Sequence, residues 1–572
     1  MEISIDDTVT SDEAIAIVTA VANHFGHSIE LVDTTSDETV VTAEPGDDGP
    51  AETGDDGPTD EEIQTERERR VVEAIDDILT GGPERGHEKI EQLGKLFVRE
   101  RLDLIFDEIN WEDGTFARYD SDDRLPADGI VTGSGTIDGR TVFFIANDYT
   151  VKAGTRSTMS TEKQLRIQER AEEVGAPILF LVDSAGARIT DQSGLFADRY
   201  RGGKTFFNQA RSSGNIPQIG VLYGPCVAGA AYTPVFCDFL MMVDQMSAMS
   251  IASPRMIEQV TGEETTLQNL GGPDIHATES GSVDLVVDDE FEAADRIRDV
   301  ISYLPQNHTE LPPKTSPSQP STNPSRTNSV IPANPNTPYD VHELIDCVID
   351  DNSWLEFKPT FASELVTGFG RIDGRPVGVL ANQPNTRSGA IYPDSSEKAA
   401  GFIWKCDAFN IPLVYLCDTP GFMVGRQVES EGILQKGRKF IYATSNATVP
   451  RFCVVVRKAY GAGIFAMSGP AFEPDSTIAL PSAEIAVMGP KAAIHAVYAN
   501  QIEEIDDPKE RQQFIEDKRE EYRQDIDIFK LSSKMAIDEL IPAARLRKQL
   551  AARLETYETK PSPDQKHGSI LF

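Results

Sequence analysis

Two stretches with almost no side chains carry the chemical signal in this sequence: "CVAGAAY" at 226–232 and "YGAGIFA" at 460–466. Each follows an apolar run of strand length and leads into an apolar stretch, so each reads as a strand-to-helix turn. Where side chains nearly vanish at the start of a helix, the unpaired backbone N–H groups of its first turn are open to a ligand. Two such donors aimed at one oxygen form an oxyanion hole, and loss of one donor typically costs about 3–4 kcal/mol of transition-state stabilisation. One small-residue turn alone would read as close packing. Two in equivalent positions, each downstream of an Asp-[Ser/Thr]-x-Gly turn, favour the chemical reading. Asp183 and Asp418 of those upstream turns read as side chains closing Asx turns. Cys226 could be imagined as a nucleophile at a helix start; the other half has no thiol there, so it reads as a packed core thiol.

The elements that position these turns are written twice. "VTGSGTIDGRTVFFIAND" at 131–148 returns as "VTGFGRIDGRPVGVLANQ" at 366–383, and "APILFLVDSAGARI" returns as "IPLVYLCDTPGFMV". Val131 and Val366 are 235 positions apart, as are Asp183 and Asp418, and Lys204 and Lys439. So long a period occurring twice indicates a duplicated domain rather than a solenoid. Buried strands alternating with longer amphipathic stretches predict an α/β fold with helices covering the sheets.

Composition narrows the function. The 572 residues suffice for two or three domains, and 39% hydrophobic content suits a globular protein. No stretch approaches the ~20 apolar residues of a membrane span, and the acidic start "MEISIDDTVTSDE" lacks the basic-then-apolar order of a secretion signal. A cytoplasmic location is expected. Six cysteines lie in or beside apolar runs without C-x-x-C spacing, which predicts reduced, buried thiols and no metal centre. A net charge of −40 repels nucleic acid and anionic lipid, and resembles the proteins of salt-loving organisms.

Three changes of composition divide the chain. Residues 1–43 suggest a small βαβ-like unit of "MEISI", the amphipathic "SDEAIAIVTAVANHFG" and "SIELVD"; an acidic Gly/Asp/Pro linker, "GDDGPAETGDDGPTDEE", follows. A Pro/Ser/Asn-rich stretch at 312–338 separates two halves of similar size. The expected organisation is an appendage and linker at 1–62, one domain at 63–311, a linker at 312–338, and a second domain at 339–572.

Longer motifs carry a resemblance. With "GKLFVRERLDLIFDE", "ANDYTVKAG", "GPCVAGAAYTP", "LGGPDIHATESGSVD", "DAFNIPLVYLCDTPGFMVG", "RKAYGAG", "AEIAVMGPKAA" and "KHGSILF" in order, residues from about 82 to 572 resemble the carboxyltransferase (β) subunits of biotin-dependent acyl-CoA carboxylases. The resemblance implies two tandem crotonase-like (ClpP/crotonase) domains behind a small N-terminal appendage. One half would grip an acyl-coenzyme A thioester and the other carboxybiotin, in a site shared between two chains of a homo-oligomer, a hexamer in this family. By position, N–H groups around Ala228 and Gly229 would stabilise the thioester enolate. Those around Ala462 and Gly463 would stabilise the ureido oxygen of biotin as CO2 leaves N1, which then takes the α-proton. No side chain need serve as general base. Ala185, Gly186 and Gly421 would border the ligands, and Phe465 the acyl pocket.

Departures leave the acyl group open. Ala228-Gly229 replaces the Gly-Gly of many relatives, and "GAGIF" and "ANDYTVKAG" lean toward methylcrotonyl-type enzymes, which carboxylate the γ carbon; "KHGSILF" and "DAFNIPL" lean toward the propionyl/acetyl type. "SSKMAID" around Lys534 is not a biotin-attachment motif, and the sequence has neither a Gly-rich phosphate loop nor a paired-Cys zinc ribbon. A partner bearing biotin carboxylase and the biotin carboxyl carrier is therefore expected. A decarboxylase subunit running the transfer backwards is a second reading, and a non-catalytic scaffold a third; intact "AGA" and "GAG" turns weigh against the scaffold. Residues 1–60 are weakly similar to ε-type subunits. A helix there cannot bury its apolar face alone, which points to an assembly element, or else to an acidic solubility aid.

Overall fold

The computed structural model describes residues 29–32, 39–43, 65–121, 124–196, 199–561 and 567–569. The chain divides into two compact units, 1–79 and 80–572. In the first, strands β1 (Ile29–Val32) and β2 (Thr39–Ala43) pair antiparallel, and a helix covers Glu66–Leu79. β1 lies in "SIELVD", but its partner follows it directly, as a hairpin; the strand and helix expected before it lie outside the described residues.

The second unit holds two sheets of the same order. The first half contributes β3 (Glu108–Glu112), β4 (Ile130–Ile137), β5 (Arg140–Asn147), β6 (Ile178–Val182), β7 (Gln218–Leu222), β8 (Pro225–Val227), β9 (Phe239–Val243), β10 (Ala248–Ser250) and β11 (Leu285–Val287). The second contributes β12 (Leu355–Phe357), β13 (Leu365–Ile372), β14 (Arg375–Asn382), β15 (Leu413–Thr419), β16 (Arg451–Tyr460), β17 (Ser476–Ala479), β18 (Glu484–Ala486) and β19 (Glu539–Leu540). Pairing runs β3-β4-β5-β6-β7-β9-β11 in one sheet and β12-β13-β14-β15-β16-β17-β19 in the other. In each half a second, shorter parallel pairing, β8 with β10 and the end of β16 with β18, carries the chain past the sheet. The expected α/β duplication is the architecture of this unit.

Local chemistry explains the repeated I-D-G-R. Ile137 lies opposite Arg140 and Ile372 opposite Arg375, leaving two-residue loops with φ of 49° and 73° at Asp138 and Gly139, and 56° and 75° at Asp373 and Gly374. Two consecutive left-handed residues make the tight hairpin that follows strand twist, and Asp-Gly is among its preferred pairs. Past the hairpin the strands become parallel; β6 and β16 are buried along their whole length, as strands covered on both faces must be.

The two halves share one core. Phe239 of β9 packs against Phe357 and Phe369, with ring centroids 5.4 and 5.8 Å apart, and Tyr303 packs on Phe369 at 5.4 Å. Each aromatic pair contributes about 0.5–1.5 kcal/mol beyond its buried area. Lys405 holds both carboxylate oxygens of Asp284 across the same boundary, at 2.8 Å each. The 312–338 stretch is pinned to the second half: Thr315 and Thr322 donate to Gly374 and Asp346 carbonyls, and Val330 and Ile331 are buried among Val341 and Leu344. From "KHGSILF", His567 reaches Asp407 at 2.7 Å and the Ser569 N–H reaches Ser213 at 3.0 Å, bridging the halves again. All six cysteines are unpaired and buried. Among the described residues no helix is long and apolar enough to cross a membrane.

Candidate functional site

Both small-residue turns begin with a left-handed residue: Ala228 with φ 60° and Gly461 with φ 57°. A 3-10 turn Ala228–Ala231 leads into helix Tyr232–Val235 in the first half, and helix Gly463–Ala466 follows in the second. Their first-turn N–H groups have no acceptor within the helix. Strand register confirms the match, Leu181 lying opposite Val221 as Leu416 lies opposite Val454. Ala228 thus corresponds to Gly461, Gly229 to Ala462 and Ala230 to Gly463. The offset between the halves is 235 at Asp183 and Asp418 but 454 − 221 = 233 at this strand, so the length difference lies before it.

The Asp-[Ser/Thr]-x-Gly turns lie against these segments. Gly186 and Gly421 have φ of 101° and 109°, a conformation that side chains oppose. A Cβ on Gly421 would stand 3.0 Å from the Tyr460 carbonyl, and one on Gly186 would stand 3.8 Å from that of Val227, its counterpart. Their N–H groups donate to Thr419 Oγ1 at 3.1 Å and Ser184 Oγ at 3.2 Å. A Cβ on Gly463 would meet Gly421 Cα and Thr419 Cγ2 at 2.9 Å, whereas one on Gly229 would meet nothing within 4 Å. Ala185, Ala228, Gly229 and Ala462 are exposed, and Gly186, Gly421 and Gly463 are buried. Phe465 is 39% exposed and stacks on Phe472, centroids 5.4 Å apart. The two sets of residues therefore form two separate, similarly built turns, one in each half.

Beneath each turn sits a buried carboxylate, and here the Asx-turn expectation is corrected. Asp183 is 1% exposed and pairs with Lys95 at 2.6 Å and, more distantly, with Arg101 at 3.7 Å; Arg101 in turn holds Glu290 at 2.5 Å. Asp418, equally buried, takes Arg457 Nε at 2.6 Å. A buried carboxylate without such partners would carry a large desolvation penalty, so the pairing is what lets it remain. The cation comes from different places. Gly224 corresponds to Arg457, and a Cβ on Gly224 would stand 2.2 Å from Asp183 Oδ1 and 2.6 Å from Lys95 Nζ. Glycine there clears the space that a distant lysine fills. Asn147 and Asn382, the last residues shared by the two copies of the repeated phrase, accept the N–H of Asp183 at 3.4 Å and of Asp418 at 3.1 Å. Lys95, Arg101, Asn147, Asn382 and Arg457 are not singled out by the sequence. The Asn pair was legible as part of the repeat; the cations were not, having no common position.

The turn residues Ala228, Gly229, Ala462 and Gly463 carry no titratable side chain, whereas Lys458, Glu484 and His495 line the cleft beside the second turn. Burial pushes the Cys226 thiol up to about 12 and drives the Tyr223 phenol higher still, so the packed-thiol reading of Cys226 accords with its setting. Burial and the neighbouring Glu484 also raise Tyr460. The second turn opens on a cleft of about 1140 Å³ whose walls include Tyr392, Pro420, Met423, Lys458 and Tyr460, ample for a bicyclic ligand on a tether. Among the described residues no group of three or more His, Cys, Asp or Glu could hold a metal ion. What two such turns can do is donate backbone hydrogen bonds to two developing oxyanions.

Residues 89–570 match the family described as carboxyl transferase domain. The uncharacterized carboxylase YngE of Bacillus subtilis (strain 168) is 51% identical over 494 residues, 86% of this chain and 96% of that one. The propionyl-CoA carboxylase carboxyltransferase subunit of Haloferax mediterranei is 39% identical over 530 residues, covering 89% and 99%. Among solved structures, transcarboxylase 12S, a hexamer with methylmalonyl-coenzyme A and methylmalonic acid bound, superposes with a TM-score of 0.81 at 38% identity, covering 90% of this chain and 98% of that one.

Proposed function

The chain belongs to the carboxyl transferase domain family and is a carboxyltransferase of the acyl-CoA carboxylase kind; from that premise we propose that it moves the carboxyl group from carboxybiotin to the α carbon of a short acyl-CoA, propionyl or acetyl. The observation that carries this is the duplication of one device: a left-handed residue, a helix start and a positive-φ glycine, built once in each half. In this reading the N–H groups around Ala228 and Gly229 hold the thioester oxygen as it becomes an enolate, and those around Ala462 and Gly463 hold the ureido oxygen. Carboxybiotin, when bound, supplies both the carboxyl group and the base for the α-proton. The chain itself orients the two ligands and stabilises both oxyanions. Ala185, Gly186 and Gly421 border the ligands, and Phe465 faces the acyl group of a neighbouring chain's site.

Exposed apolar side chains support a shared site. Ile189 and Val424, three residues beyond Gly186 and Gly421, are each 79% exposed, as are Phe196 at 86% and Leu434 at 78%. Such surface beside two turns calls for cover, and a hexamer like that of transcarboxylase 12S provides it. A biotin carboxylase and biotin carrier subunit completes the enzyme in the cytoplasm, and the charge of −40 suits work in concentrated salt. The test is purified chain incubated with propionyl-CoA and radiolabelled carboxybiotin, expected to yield labelled methylmalonyl-CoA. Absence of label transfer to any acyl-CoA by an oligomeric, folded preparation would overturn the reading.

A further inference from the structure

The duplication supplies an internal control for what the fold requires, and one cluster departs from it. Arg156 precedes the helix Thr158–Val174, and its backbone bridges Ala187 just as Ile391 bridges Phe422 in the second half. Ile391 is 1% exposed in the core, so this backbone position needs no cation. The neighbours of Arg156 follow suit. Its terminal nitrogen donates to Gln164 Oε1 at 2.9 Å and Thr205 Oγ1 at 3.1 Å, where the second half has Ala399 and Phe440; Thr233 corresponds to Ala466. Ala399, Phe440 and Ala466 are fully buried. Four positions that are apolar in one half are polar in the other.

Arg156, Gln164 and Thr233 line a cavity of about 20 Å³ with Asn147, Ser184 and Ala230, while Thr205 bears on it only by accepting from Arg156. Ser184 adjoins Ala185, and Ala230 adjoins Gly229, so the cavity lies immediately behind the first turn. Arg156 Nε is buried there without a hydrogen-bond partner, and no described carboxylate lies within ion-pair distance of the guanidinium. Burial pulls its pKa down. A guanidinium kept in such a place has unmet demand for an oxygen acceptor, and its fork best fits a carboxylate. The volume admits little more than one such group.

We propose that Arg156, with Gln164 and Thr233, forms a recognition site for an oxygen-bearing acyl terminus, so that the first half prefers an acyl-CoA ending in a carboxylate over its apolar counterpart. This rests on the proposed function, in which the first half binds acyl-CoA, and extends its substrates from propionyl and acetyl groups to a longer acyl chain whose end reaches the cavity. The experiment is equilibrium binding to the full chain of three thioesters: butyryl-CoA, 3-hydroxybutyryl-CoA and succinyl-CoA, which distinguish an apolar, a hydroxyl and a carboxylate end. Succinyl-CoA is expected to bind at least about tenfold more tightly than butyryl-CoA, with the hydroxyl between them. In Arg156→Met the ratio collapses toward one, and Arg156→Lys restores part of it. Equal affinities in the unmodified chain, or a ratio unchanged in Arg156→Met, would overturn the proposal, and the unmodified chain decides alone if the variant does not fold. Failure of the function reading looks different: none of the three thioesters would bind.

Discussion

Gly463→Ala tests the second turn with a single methyl. The added Cβ would lie 2.9 Å from Gly421 Cα and from Thr419 Cγ2, and 3.4 Å from Gly421 N. Ordinary contact begins near 3.4 Å, so roughly 0.5 Å must be gained against backbone on one side and a branched side chain on the other, neither of which can swing away. Overpacking of this kind typically costs about 1–3 kcal/mol of stability. The same displacement moves the turn's N–H groups relative to any oxyanion they serve; full loss of one donor corresponds to a rate lower by about a hundred- to a thousandfold. The assay pairs thermal unfolding with transfer of the labelled carboxyl group from carboxybiotin to saturating acyl-CoA. A clear fall in rate is expected, with a moderate fall in Tm and continued acyl-CoA binding. Gly229→Ala provides the contrast, since its Cβ meets nothing within 4 Å: it should fold with an unchanged Tm, any effect arising on the acyl side. If Gly463→Ala folds and turns over at the rate of the unmodified chain, the oxyanion assignment of the second turn is wrong.

Three other outcomes follow from the same geometry. Arg457→Met removes the nearer of two cations from the Asp418 carboxylate, 1% exposed, leaving Lys458 at 3.7 Å, and should cost about 3 kcal/mol in denaturant unfolding; a loss below about 1 kcal/mol would contradict the buried-pair account. Hydrogen bonding to Glu356 and also to Asp340 raises His342 from 6.5 to about 9. A raised folded pKa gives stability that is complete below pH ~6.5 and is lost as pH rises through about 9. With the ring 37% exposed, screening limits this to about 1 kcal/mol, so the stability advantage over His342→Gln should shrink between those pH values, and a pH-independent gap would refute the charge assignment. Deleting residues 1–60 should leave the 80–572 unit folded and oligomeric but weaken co-purification with a biotinylated partner; unchanged recovery would favour the solubility role.

Much of the architecture was legible because it is local or repeated. Asp-Gly between two strands with φ above zero at both residues is a two-residue decision, visible at 138–139 and 373–374. The apolar runs of β6 and β16 announce strands covered on both faces, and a spacing of 235 retained by the hairpins, the Asp turns and the lysines implies one fold written twice. The polar cavity behind the first turn was also within reach: setting Arg156, Gln164 and Thr205 beside Ile391, Ala399 and Phe440 needs only the offset.

Other features depend on which distant segments meet. The small-residue turns could not be aligned to the residue, since a length change in a loop leaves no mark on composition; only the φ of Ala228 and Gly461 and the strand register place them. Nor does Asp183 reveal its partner. Lys95 stands 88 positions away and fills space left by Gly224, while Asp418 finds Arg457 on the adjacent strand. Sequence alone determined the duplicated α/β framework and the bare turns, because hairpin geometry, strand burial and the absence of side chains are properties of neighbouring residues. Tertiary structure decided how the buried carboxylates are neutralised, because charge compensation in a low-dielectric interior depends on distance in space and not on separation along the chain.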